Sequence, residues 1–499
     1  MPSPRERGAF ATLTELYQLP NYQWTLEPSA IKGFSYVGIS GCQWPSGKKK
    51  AQSEIWQKVE SFWRDTEHYE QLTWPDRTAD DELASFIYQA SRFVDVPPPP
   101  QMILDKAMRS MLKDYGLRIV LPEALEDILG PKIIPHIRMC MDDVRLEGSP
   151  GVPLAAIGST NEHILTRHFD LLLDAVIARL RLLATSDITG LTSVQLVQGG
   201  FVDPVRVFIK NEPHTKVKAE KKRWRIISSV SLIDQIVERV LHRHINQTEI
   251  LNWHSIPSKP GVGFDDESVG LMIDYVNNRI RVPAESDISG FDWSLKGWNF
   301  DFDAEFRLRL HSTDVTNTVY AKAVRNRHYC LSLSVFQLSD GRMFAQQARG
   351  IELSGSYLTS STNSHCRVSI AKVVYQILYD RNGVEGDDQA TANGDDGVEE
   401  YMEGAESVYN ELGYPLKFYK KCEGDRFEFC SHVYDTKRRT AYALNHGKET
   451  MKLMHRKDLN TNDEKRLAIM QYYDDLRGSP HIKEMLDIIE RAAWYTSSG

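Results

Sequence analysis

The stretch Gly394-Asp395-Asp396-Gly397 places two adjacent carboxylates between two short segments, Gln389–Ala392 and Val398–Tyr401. The two glycines relax the backbone in the way that a tight turn between strands requires. The stretch therefore predicts a β-hairpin that holds both aspartates in its turn. Two neighbouring carboxylates in such a turn supply half of the ligands that a divalent-metal site needs.

A second acidic segment, Asp287-Ile288-Ser289-Gly290-Phe291-Asp292, lies upstream. Asp287 follows Val282–Ser286, which we interpret as a short strand. Phosphoryl transfer by two metal ions roughly 4 Å apart demands carboxylates from at least two chain segments. Adjacent hairpins would bring Asp287 together with the paired aspartates of the first hairpin. For Asp292 a structural alternative is the N-cap of a short helix.

A second copy of the tripeptide, Gly386-Asp387-Asp388, precedes Gly394-Asp395-Asp396. Taken alone, either copy is most often an ordinary surface turn, because short motifs match by chance. The order and spacing relative to the other segments favour Asp395 and Asp396 as the functional pair.

The segment from Ser354 to Asn363 consists mostly of Ser, Thr and Asn and leads into an apolar helix, predicted from about Leu358 to Tyr379. The helix should end near Asn382-Gly383, which suits a left-handed cap. Thr359 and Asn363 are four residues apart and share one helical face. Ser and Thr favour helix starts for structural reasons alone. The functional alternative is a flexible Ser-Gly hinge followed by a face that hydrogen-bonds ribose hydroxyls.

A basic loop connects two predicted strands, Val205–Ile209 and Arg225–Ser228. A run of charge is usually a solvated face, but this one would project between two strands as a fingertip. Lysine and arginine there could neutralise a triphosphate. Its basic residues are Lys210, Lys216, Lys218, Lys221, Lys222, Arg223 and Arg225.

The composition fits a globular enzyme with a large core. The chain has 499 residues, 41% of them hydrophobic, and a net charge of −8. That charge argues against a general nucleic-acid coat but not against an enzyme that confines positive charge to a channel. The six cysteines show no paired framework, which favours reduced thiols. Since no stretch is apolar enough for a membrane span, we expect no integral membrane segment.

In chain order, the patterns Asp-x4-Asp, Ser-Gly-x3-Thr-x3-Asn and Gly-Asp-Asp resemble motifs A, B and C of RNA-dependent RNA polymerases from positive-strand RNA viruses. The basic loop, from Lys210-Asn211-Glu212-Pro213-His214 to Arg225–Ser228, resembles motif F. Ser149–Pro153 resembles motif G, which touches the template, and Phe427–His432 resembles motif E, the primer grip. The amino-acid sequences of several of these segments are most similar to those of sobemovirus and polerovirus-like polymerases.

The resemblance implies an α+β fold, a closed right hand of fingers, palm and thumb with an antiparallel palm sheet flanked by helices. It also implies a division of the chain. Residues 1–70 would be an N-terminal extension and residues 71–280 mainly fingers, including the fingertips. Residues 281–435 would form the palm, with a fingers insertion near 305–345, and residues 436–499 a helical thumb.

The resemblance further implies roles for individual residues. Asp287, Asp395 and Asp396 would be catalytic and would hold two Mg²⁺ or Mn²⁺ ions. A motif D lysine would protonate the leaving pyrophosphate; Lys417, Lys420 and Lys421 compete, and Lys420 or Lys421 is favoured because both lie later after Gly413. The incoming nucleotide and its ribose would be bound by Asp292, Asn363, Ser354, Gly355, Thr359, Lys210, Arg223 and Arg225. RNA would be contacted by Ser149, Gly151, Pro153, Lys216, Cys430 and Ser431.

The implied activity is RNA-templated RNA synthesis in the replication and transcription of a positive-strand RNA virus genome. Expected partners are template and nascent RNA, nucleoside triphosphates, other viral replicase proteins and a small genome-linked protein primer. The expected location is the host cell cytoplasm, in replication complexes attached to membranes through other proteins. Two alternatives are a reverse transcriptase-like polymerase and a non-catalytic RNA-binding replicase subunit; Asp292 and Asn363 argue against the first, and the full set of carboxylates against the second.

Overall fold

The computed structural model of the chain describes residues 13–45, 47, 71–383, 386–454, 456, 461–484 and 486–487. The expected N-terminal extension and helical thumb therefore fall partly outside the described residues. The strands are β1 (Gln23–Pro28), β2 (Phe34–Ile39), β3 (Leu72–Thr73), β4 (Val205–Ile209), β5 (His214–Thr215), β6 (Ile226–Ser229), β7 (Pro283–Ile288), β8 (Val335–Gln337), β9 (Arg342–Gln346), β10 (Ala390–Asn393), β11 (Asp396–Glu400), β12 (Leu416–Lys421), β13 (Arg426–Phe429), β14 (His432–Asp435) and β15 (Thr440–Ala443).

Helices separate and cover these strands. They are α1 (Ala79–Ala90), α2 (Gln101–Tyr115), α3 (Glu123–Glu126), α4 (Ile133–Asp142), α5 (Asn161–Arg167), α6 (Phe169–Thr185), α7 (Ser193–Gln198), α8 (Lys216–Glu220), α9 (Leu232–Leu251), α10 (Asp266–Arg279), α11 (Phe291–Ser294), α12 (Gly297–Arg309), α13 (Val319–Leu331), α14 (Thr359–Asn382), α15 (Ala405–Glu411), α16 (His446–Met454) and α17 (Asn462–Leu476). A short 3₁₀ turn spans Leu154–Ala156.

The four-stranded sheet has the order β10-β11-β7-β12, and every pair in it is antiparallel. The β10–β11 hairpin closes with Asn393 opposite Asp396. Gly397 is opposite Ser286, and Phe418 is opposite Asp287. The register therefore carries Asp287 and the Gly-Asp-Asp turn to the same end of the sheet. Only β10 and β11 form a hairpin there, because β7 pairs with β11 and β12, which are distant along the chain.

The six-stranded sheet draws on three distant parts of the chain, in the order β1-β2-β9-β8-β4-β6. Its pairs are antiparallel except β4 with β8. Strand β2 pairs with β9, so residues near the start of the chain extend a sheet built largely from later segments. The predicted strands at Val205–Ile209 and Arg225–Ser228 are confirmed as β4 and β6. The described fold is thus mixed helix and sheet, with mainly antiparallel sheets.

Helix α14 runs through the apolar core beside the four-stranded sheet. Its middle is buried on all sides, including Val368, Ile370, Val373 and Val374. It ends at Gly383, which has a φ of 60° and donates its N–H to the carbonyl of Tyr379. A left-handed glycine cap of this kind terminates a helix without the strain that a Cβ would add. The predicted helix and its predicted end are confirmed.

A buried ionic chain crosses the second apolar core, between helices α6, α9 and α13. The fully buried Arg179 donates to Asp203 at 2.6 Å and 3.0 Å and to Asp234 at 3.0 Å. Arg327 carries the contacts onward, at 3.5 Å from Asp234 and 2.6 Å from Glu238. Tyr17 accepts a hydrogen bond from Arg179 at one end, and Ser356 donates to Glu238 at 2.8 Å at the other.

The C-terminal part of the described chain consists of the β13-β14-β15 sheet and helices α16 and α17. Thr450 and Tyr472 join the two helices by a 2.5 Å hydrogen bond between their hydroxyls. Exposed ion pairs from Arg439 to Asp274 and from Arg477 to Asp266 tie this part to α10. In the described part of the chain, no helix is both long enough and apolar enough to cross a membrane.

Candidate active site

Asp287 lies near the end of β7, where the strand carries it to the edge of the Gly-Asp-Asp turn. Its carboxylate is partly exposed and accepts a 2.8 Å bond from Lys417 Nζ. The main chain beyond β7 is held by the N–H of Ser289, which donates to the carbonyl of Pro415 at 2.8 Å. Asp287 is therefore both anchored by the sheet and neutralised by a neighbouring cation.

The Gly394-Asp395-Asp396 turn is held from two sides. Gly394 has a φ of 62°, which suits glycine, and its N–H donates to Ser364 Oγ at 2.9 Å. The side-chain amide of Asn393 donates to Cys430 Sγ at 3.3 Å. Helix α14 and the β13–β14 turn thus hold the hairpin turn that carries the two aspartates.

The three aspartates share an electrostatic environment. Loss of hydration, together with the negative charges of Asp395 and Asp287, raises the pKa of Asp396 to about 6. Such a shift is the expected result of crowding carboxylates, and an added cation would relieve it. An all-oxygen donor set drawn from two strands suits hard cations such as Mg²⁺, so these residues fit the expected metal.

The carboxylates do not form a tight cluster. A tight cluster is one in which three or more His, Cys, Asp or Glu residues have their potential ligand atoms all within 4.8 Å of one another. In the described part of the chain, such a group is found at His446, His481 and Glu484, and not at the three aspartates.

Asp292 and Asn363 form a direct pair. The Asn363 side-chain amide donates to Asp292 Oδ1 at 2.8 Å. Burial and the charge of Asp395 raise the pKa of Asp292 to about 6, although the Asn363 hydrogen bond and the cations Arg225 and Lys210 oppose the rise. The N-cap of α11 is Gly290, not Asp292, so the structural alternative for Asp292 is wrong.

Ser354, Gly355 and Thr359 form the loop that leads into α14. Ser354 Oγ accepts the N–H of Ser228 at 3.0 Å, and Gly355 N–H donates to the Ser228 carbonyl at 2.9 Å. A Cβ on Gly355 would lie 2.5 Å from that carbonyl oxygen, so the close approach to β6 requires glycine. Thr359 Oγ1 donates to the carbonyls of Leu353 and Ser356 and thus holds the loop itself.

Several hydroxyls at the start of α14 bind a buried ionic cluster instead of facing the aspartates. Asp303 accepts hydrogen bonds from Thr362 at 3.0 Å and from Arg307 at 2.8 Å. Arg307 also donates to Ser361 at 2.6 Å. His365 contacts Asp303 on one side and Glu249 on the other. The structural explanation therefore holds for part of this polar segment, while Asn363 and Ser364 face the aspartates.

Two residues of the basic loop, Lys210 and Arg225, lie near the aspartates. Lys210 and Arg225 contact Glu212 at 3.1 Å and 2.9 Å and act electrostatically on Asp292. Arg223 lies over the ring of Tyr88 at 4.3 Å, and Lys216 is exposed at the start of α8. Lys210 and Arg225 are thus the cations of this loop that the structure connects to the aspartates.

The lysines of β12 point to different places. A bulge between Leu416 and Phe418 displaces Lys417, and its ammonium reaches Asp287. Lys420 lies 3.6 Å from Glu285, and Lys421 lies over the ring of Tyr401 at 4.4 Å. The sequence favoured Lys420 or Lys421 near the reacting groups, but the described contacts bring Lys417 to the aspartates instead.

The two expected RNA-contacting segments differ in their relation to the site. Cys430 and Ser431 occupy the β13–β14 turn with φ of 52° and 56°, beside Asn393. Burial raises the pKa of the Cys430 thiol to about 12, so it acts as a neutral neighbour of the turn. Ser149, Gly151 and Pro153 form a loop against the start of α9, where Pro150 accepts the N–H of Leu232 at 2.9 Å. No contact among the described residues joins that loop to the aspartates.

The other Gly-Asp-Asp copy is a structural anchor. Lys372 Nζ, buried on α14, lies 3.4 Å from Asp388 Oδ1 and donates to its carbonyl at 3.1 Å. Ser110 also donates to the Asp388 carboxylate, and Tyr375 donates to the Gly386 carbonyl at 3.1 Å. Asp388 is therefore committed to holding α2 and α14 together.

Two residues at the site, Ser364 and Glu352, were not singled out from the sequence. Ser364 contacts the Gly-Asp-Asp turn, as described above. Glu352 is buried beside Asp292, whose carbonyl accepts its N–H at 2.7 Å. Its two carboxylate oxygens have no hydrogen-bond partner in the described part of the chain, and burial raises its pKa well above the ordinary value. Ser364 directly follows the polar segment from Ser354 to Asn363, so that segment could have indicated it. No pattern in the sequence indicated Glu352.

Comparison with known proteins identifies the family. A model of the family described as viral RNA-directed RNA-polymerase matches residues 132–269 and 274–445. The replicase polyprotein P2AB of Southern bean mosaic virus is 36% identical over 445 residues, 85% of this chain and 44% of that protein. The RNA-directed RNA polymerase of Mushroom bacilliform virus is 36% identical over 335 residues, 64% of this chain and 77% of that protein.

A third relative, protein P1-P2 of Potato leafroll virus, is 34% identical over 338 residues, 64% of this chain and 30% of that protein. The chain spans less than half the length of the replicase polyproteins that it matches. The family match nevertheless covers both acidic segments, the polar segment between them and the basic loop. The chain belongs to the viral RNA-directed RNA polymerases.

Proposed function

We propose that the chain catalyses RNA-templated RNA synthesis, in which a 3′-hydroxyl attacks the α-phosphate of a nucleoside triphosphate and pyrophosphate leaves. One observation carries the proposal: Asp287, Asp395 and Asp396 meet at one end of an antiparallel sheet, next to the Asp292–Asn363 pair. The family and its relatives support the same activity.

Asp287, Asp395 and Asp396 would hold two divalent cations, Mg²⁺ or Mn²⁺. When bound, the cations would supply activation of the attacking oxygen and charge stabilisation of the leaving group. The raised pKa of Asp396 supports this assignment, because crowded carboxylates favour a nearby positive charge. Lys417, which neutralises Asp287, would move when a cation takes that position.

Asp292 and Asn363 would bind the ribose 2′-hydroxyl, which can donate to the carboxylate and accept from the amide. Ser354, Gly355 and Thr359 would shape the loop beneath the nucleotide. Lys210 and Arg225 would neutralise the triphosphate. Arg223 is proposed for the same task, although its guanidinium lies on Tyr88.

Protonation of the leaving pyrophosphate is assigned to a lysine of β12. Lys420 and Lys421 remain candidates from the sequence, and the contact with Asp287 favours Lys417. Template and nascent RNA would contact Ser149, Gly151, Pro153, Lys216, Cys430 and Ser431. The position of Cys430 beside Asn393 supports a role of its turn near the primer end.

We assign the chain to a closed right hand. Its four-stranded sheet would be the palm within residues 281–435, and residues 71–280 with the insertion near 305–345 would be mainly fingers. Residues 436–499 would be the thumb and residues 1–70 an extension. The six-stranded sheet supports the fingers assignment, because it pairs strands from 205–229 with strands from 335–346.

In the cell, the partners would be template and nascent RNA, nucleoside triphosphates, other replicase proteins and a small genome-linked protein primer. The proposed place is the host cytoplasm, in replication complexes attached to membranes through other proteins. The names of the relatives support a replicase context for the chain.

Primer extension with purified protein tests the proposed site. We expect Asp395→Ala and Asp396→Ala each to lower nucleotide incorporation by at least about 100-fold, the scale of losing one electrostatic stabiliser. Asp387→Ala, in the other Gly-Asp-Asp copy, is the matched control and should keep near-normal incorporation. Thermal melting of each variant checks that it is folded.

The opposite pattern, with activity kept in Asp395→Ala and lost in Asp387→Ala, would show that the site is misassigned. Efficient incorporation of deoxynucleotides would favour a reverse transcriptase-like enzyme. Absence of any cation-dependent incorporation, with primed and with unprimed templates, would favour a non-catalytic RNA-binding subunit.

A further inference from the structure

Three potential ligands from the C-terminal part of the chain converge outside the proposed active site. They are His446, His481 and Glu484, whose nitrogen and oxygen atoms all lie within 4.8 Å of one another. His446 is the first residue of α16 and is buried, whereas His481 is exposed. The rings of the two histidines stack, with centroids 4.3 Å apart.

The local backbone presents His481 and Glu484 together. The N–H of Ser479 donates to the Leu476 carbonyl at 2.8 Å, and the N–H of Ile482 donates to the Ser479 carbonyl at 3.1 Å. Ser479 Oγ accepts the N–H of His481 at 3.1 Å. His481 lies in this turn and Glu484 in the helical stretch at 482–484, and their separation of three residues places them on one side.

Glu484 supplies an independent sign that a ligand belongs here. Its Oε1 is buried and has no hydrogen-bond partner in the part of the chain that the structure describes. A buried carboxylate oxygen without a partner is costly, and a bound cation removes that cost. The oxygen belongs to the group that also contains the two imidazoles.

We propose that His446, His481 and Glu484 bind a transition-metal cation of the Zn²⁺ class. Two imidazole nitrogens and one carboxylate oxygen are a common three-residue set for Zn²⁺, with one position left for solvent. Ligands around tetrahedral Zn²⁺ lie about 3.3 Å from one another, and the three ligand atoms lie within 4.8 Å of one another, so each pair would need to approach by at most about 1.5 Å. Mg²⁺ prefers oxygen ligands, so this site and the aspartates would select different cations.

The site would clamp the C-terminal segment onto α16. The Thr450–Tyr472 hydrogen bond already joins α16 to α17, and the metal would add a second link beyond the end of α17. Because the cation would bind the folded arrangement and not the unfolded chain, it would raise the melting temperature. The role inferred is structural and independent of nucleotide incorporation.

Cobalt substitution tests the site directly on the full chain. Co²⁺ bound by imidazole and carboxylate in a four-coordinate site gives a visible absorption band of much higher intensity than hexacoordinate Co²⁺. The titration is run in excess Mg²⁺, which occupies all-oxygen sites. We expect one Co²⁺ per chain to develop the band and Zn²⁺ to abolish it by displacement.

Two near-isosteric variants, His481→Gln and Glu484→Gln, should each weaken Zn²⁺ binding by more than about 10-fold, since even outer-shell changes cost that much. They should also lose the rise in melting temperature that Zn²⁺ gives the unaltered chain. His254→Gln and Lys483→Gln are matched controls, an exposed histidine elsewhere and the exposed neighbour of Glu484. Both should keep the band.

The inference is overturned if the unaltered chain shows no band and no Zn²⁺-dependent rise in melting temperature. It is also overturned if His481→Gln and Glu484→Gln bind Zn²⁺ as well as the controls do. Neither readout uses polymerase activity, so these outcomes are separate from those that test the proposed function.

Discussion

Burial and the charge of Asp395 oppose the ionisation of Asp292, while a hydrogen bond from Asn363 favours it. The resulting pKa of about 6 means that the carboxyl is protonated below pH 6 and charged above it. A charged carboxylate accepts a hydrogen bond from a ribose hydroxyl more strongly than a protonated one does. The state of this single side chain should therefore affect how well a nucleotide is bound.

Replacement of Asn363 by Ala should move the pH dependence of nucleotide use. The Asn363 hydrogen bond lowers the pKa of Asp292, so its loss raises that pKa. We expect the acidic limb of the kcat/KM profile to shift to higher pH, because more of Asp292 is then protonated near neutrality. The measurement is incorporation of a single ribonucleotide across the pH range, with the matching deoxynucleotide in parallel.

Ser360→Ala is the control for this shift, since Ser360 is exposed on the same turn of α14. The preference for ribonucleotides over deoxynucleotides should also fall in Asn363→Ala, whereas Ser360→Ala should keep the preference of the unaltered chain. An acidic limb that does not move in Asn363→Ala would separate Asp292 from the recognition of the nucleotide.

The turn of the β10–β11 hairpin is joined to helix α14 by a hydrogen bond from the Gly394 N–H to Ser364 Oγ. Ser364 also donates to the carbonyl of Ser360 at 2.7 Å. The bond connects the helix that we propose to bind the ribose to the hairpin that carries Asp395 and Asp396. Its loss should affect the alignment of the two elements more than the stability of the fold.

Ser364→Ala should reduce kcat about 10-fold, within the roughly 100-fold that a 1 Å misplacement of reacting groups can cause. KM should change little, because Asn363 and the basic loop are untouched. The loss of stability should be about 1 kcal/mol, the usual net value of one hydrogen bond. Steady-state kinetics and a melting curve for the same preparation measure both effects, and an unchanged kcat would rule out the alignment role.

The elements were easier to predict than their contacts. The hairpin around Gly394, the strand that ends near Asp287 and the helix that ends at Gly383 follow from turn glycines and apolar spacing, which are local properties. The position of Lys417 depends on a bulge between Leu416 and Phe418. A bulge changes the face of the sheet on which a side chain lies, and the residue pattern of a strand does not reveal it. Position after Gly413 was therefore the remaining criterion, and it favoured Lys420 or Lys421.

Buried partners were equally hidden from the sequence. The hydroxyls before Asn363 looked like a single hydrogen-bonding face, but Ser361 and Thr362 bind Arg307 and Asp303 in the core. Those partners lie on another helix, and a one-dimensional pattern does not show which helices will meet. Glu352 is a further example, because its burial follows from packing around the loop and not from its neighbours in sequence.

At the scale of the whole molecule, the buried ionic chain from Tyr17 to Ser356 connects distant segments. It links the described N-terminal helical turn, the core helices and the loop before α14. Buried ion pairs add little to stability when compared with apolar packing, but breaking one leaves an unpaired charge in the core. The chain of contacts therefore favours a single arrangement of these segments.

Arg179→Met should destabilise the whole molecule by about 3–5 kcal/mol, because it leaves the buried Asp203 and Asp234 without their main cation. We expect the melting temperature in differential scanning fluorimetry to fall by about 5 °C or more. Arg439→Gln, which removes an exposed pair with Asp274, is the control and should leave the melting temperature nearly unchanged. Equal falls in both variants would mean that burial does not decide the cost.

The pairing of β2 with β9 has a practical consequence for protein engineering. A shortened version of the chain that starts at residue 71 would lose Tyr17 and would uncover the edge of β9, a template for unwanted strand addition. Chimaeras between related viruses would meet the same difficulty, since the incoming leading segment must supply both a matching edge and a partner for Arg179. The leading segment could therefore be exchanged between viruses only together with matching changes at its partners, β9 and Arg179.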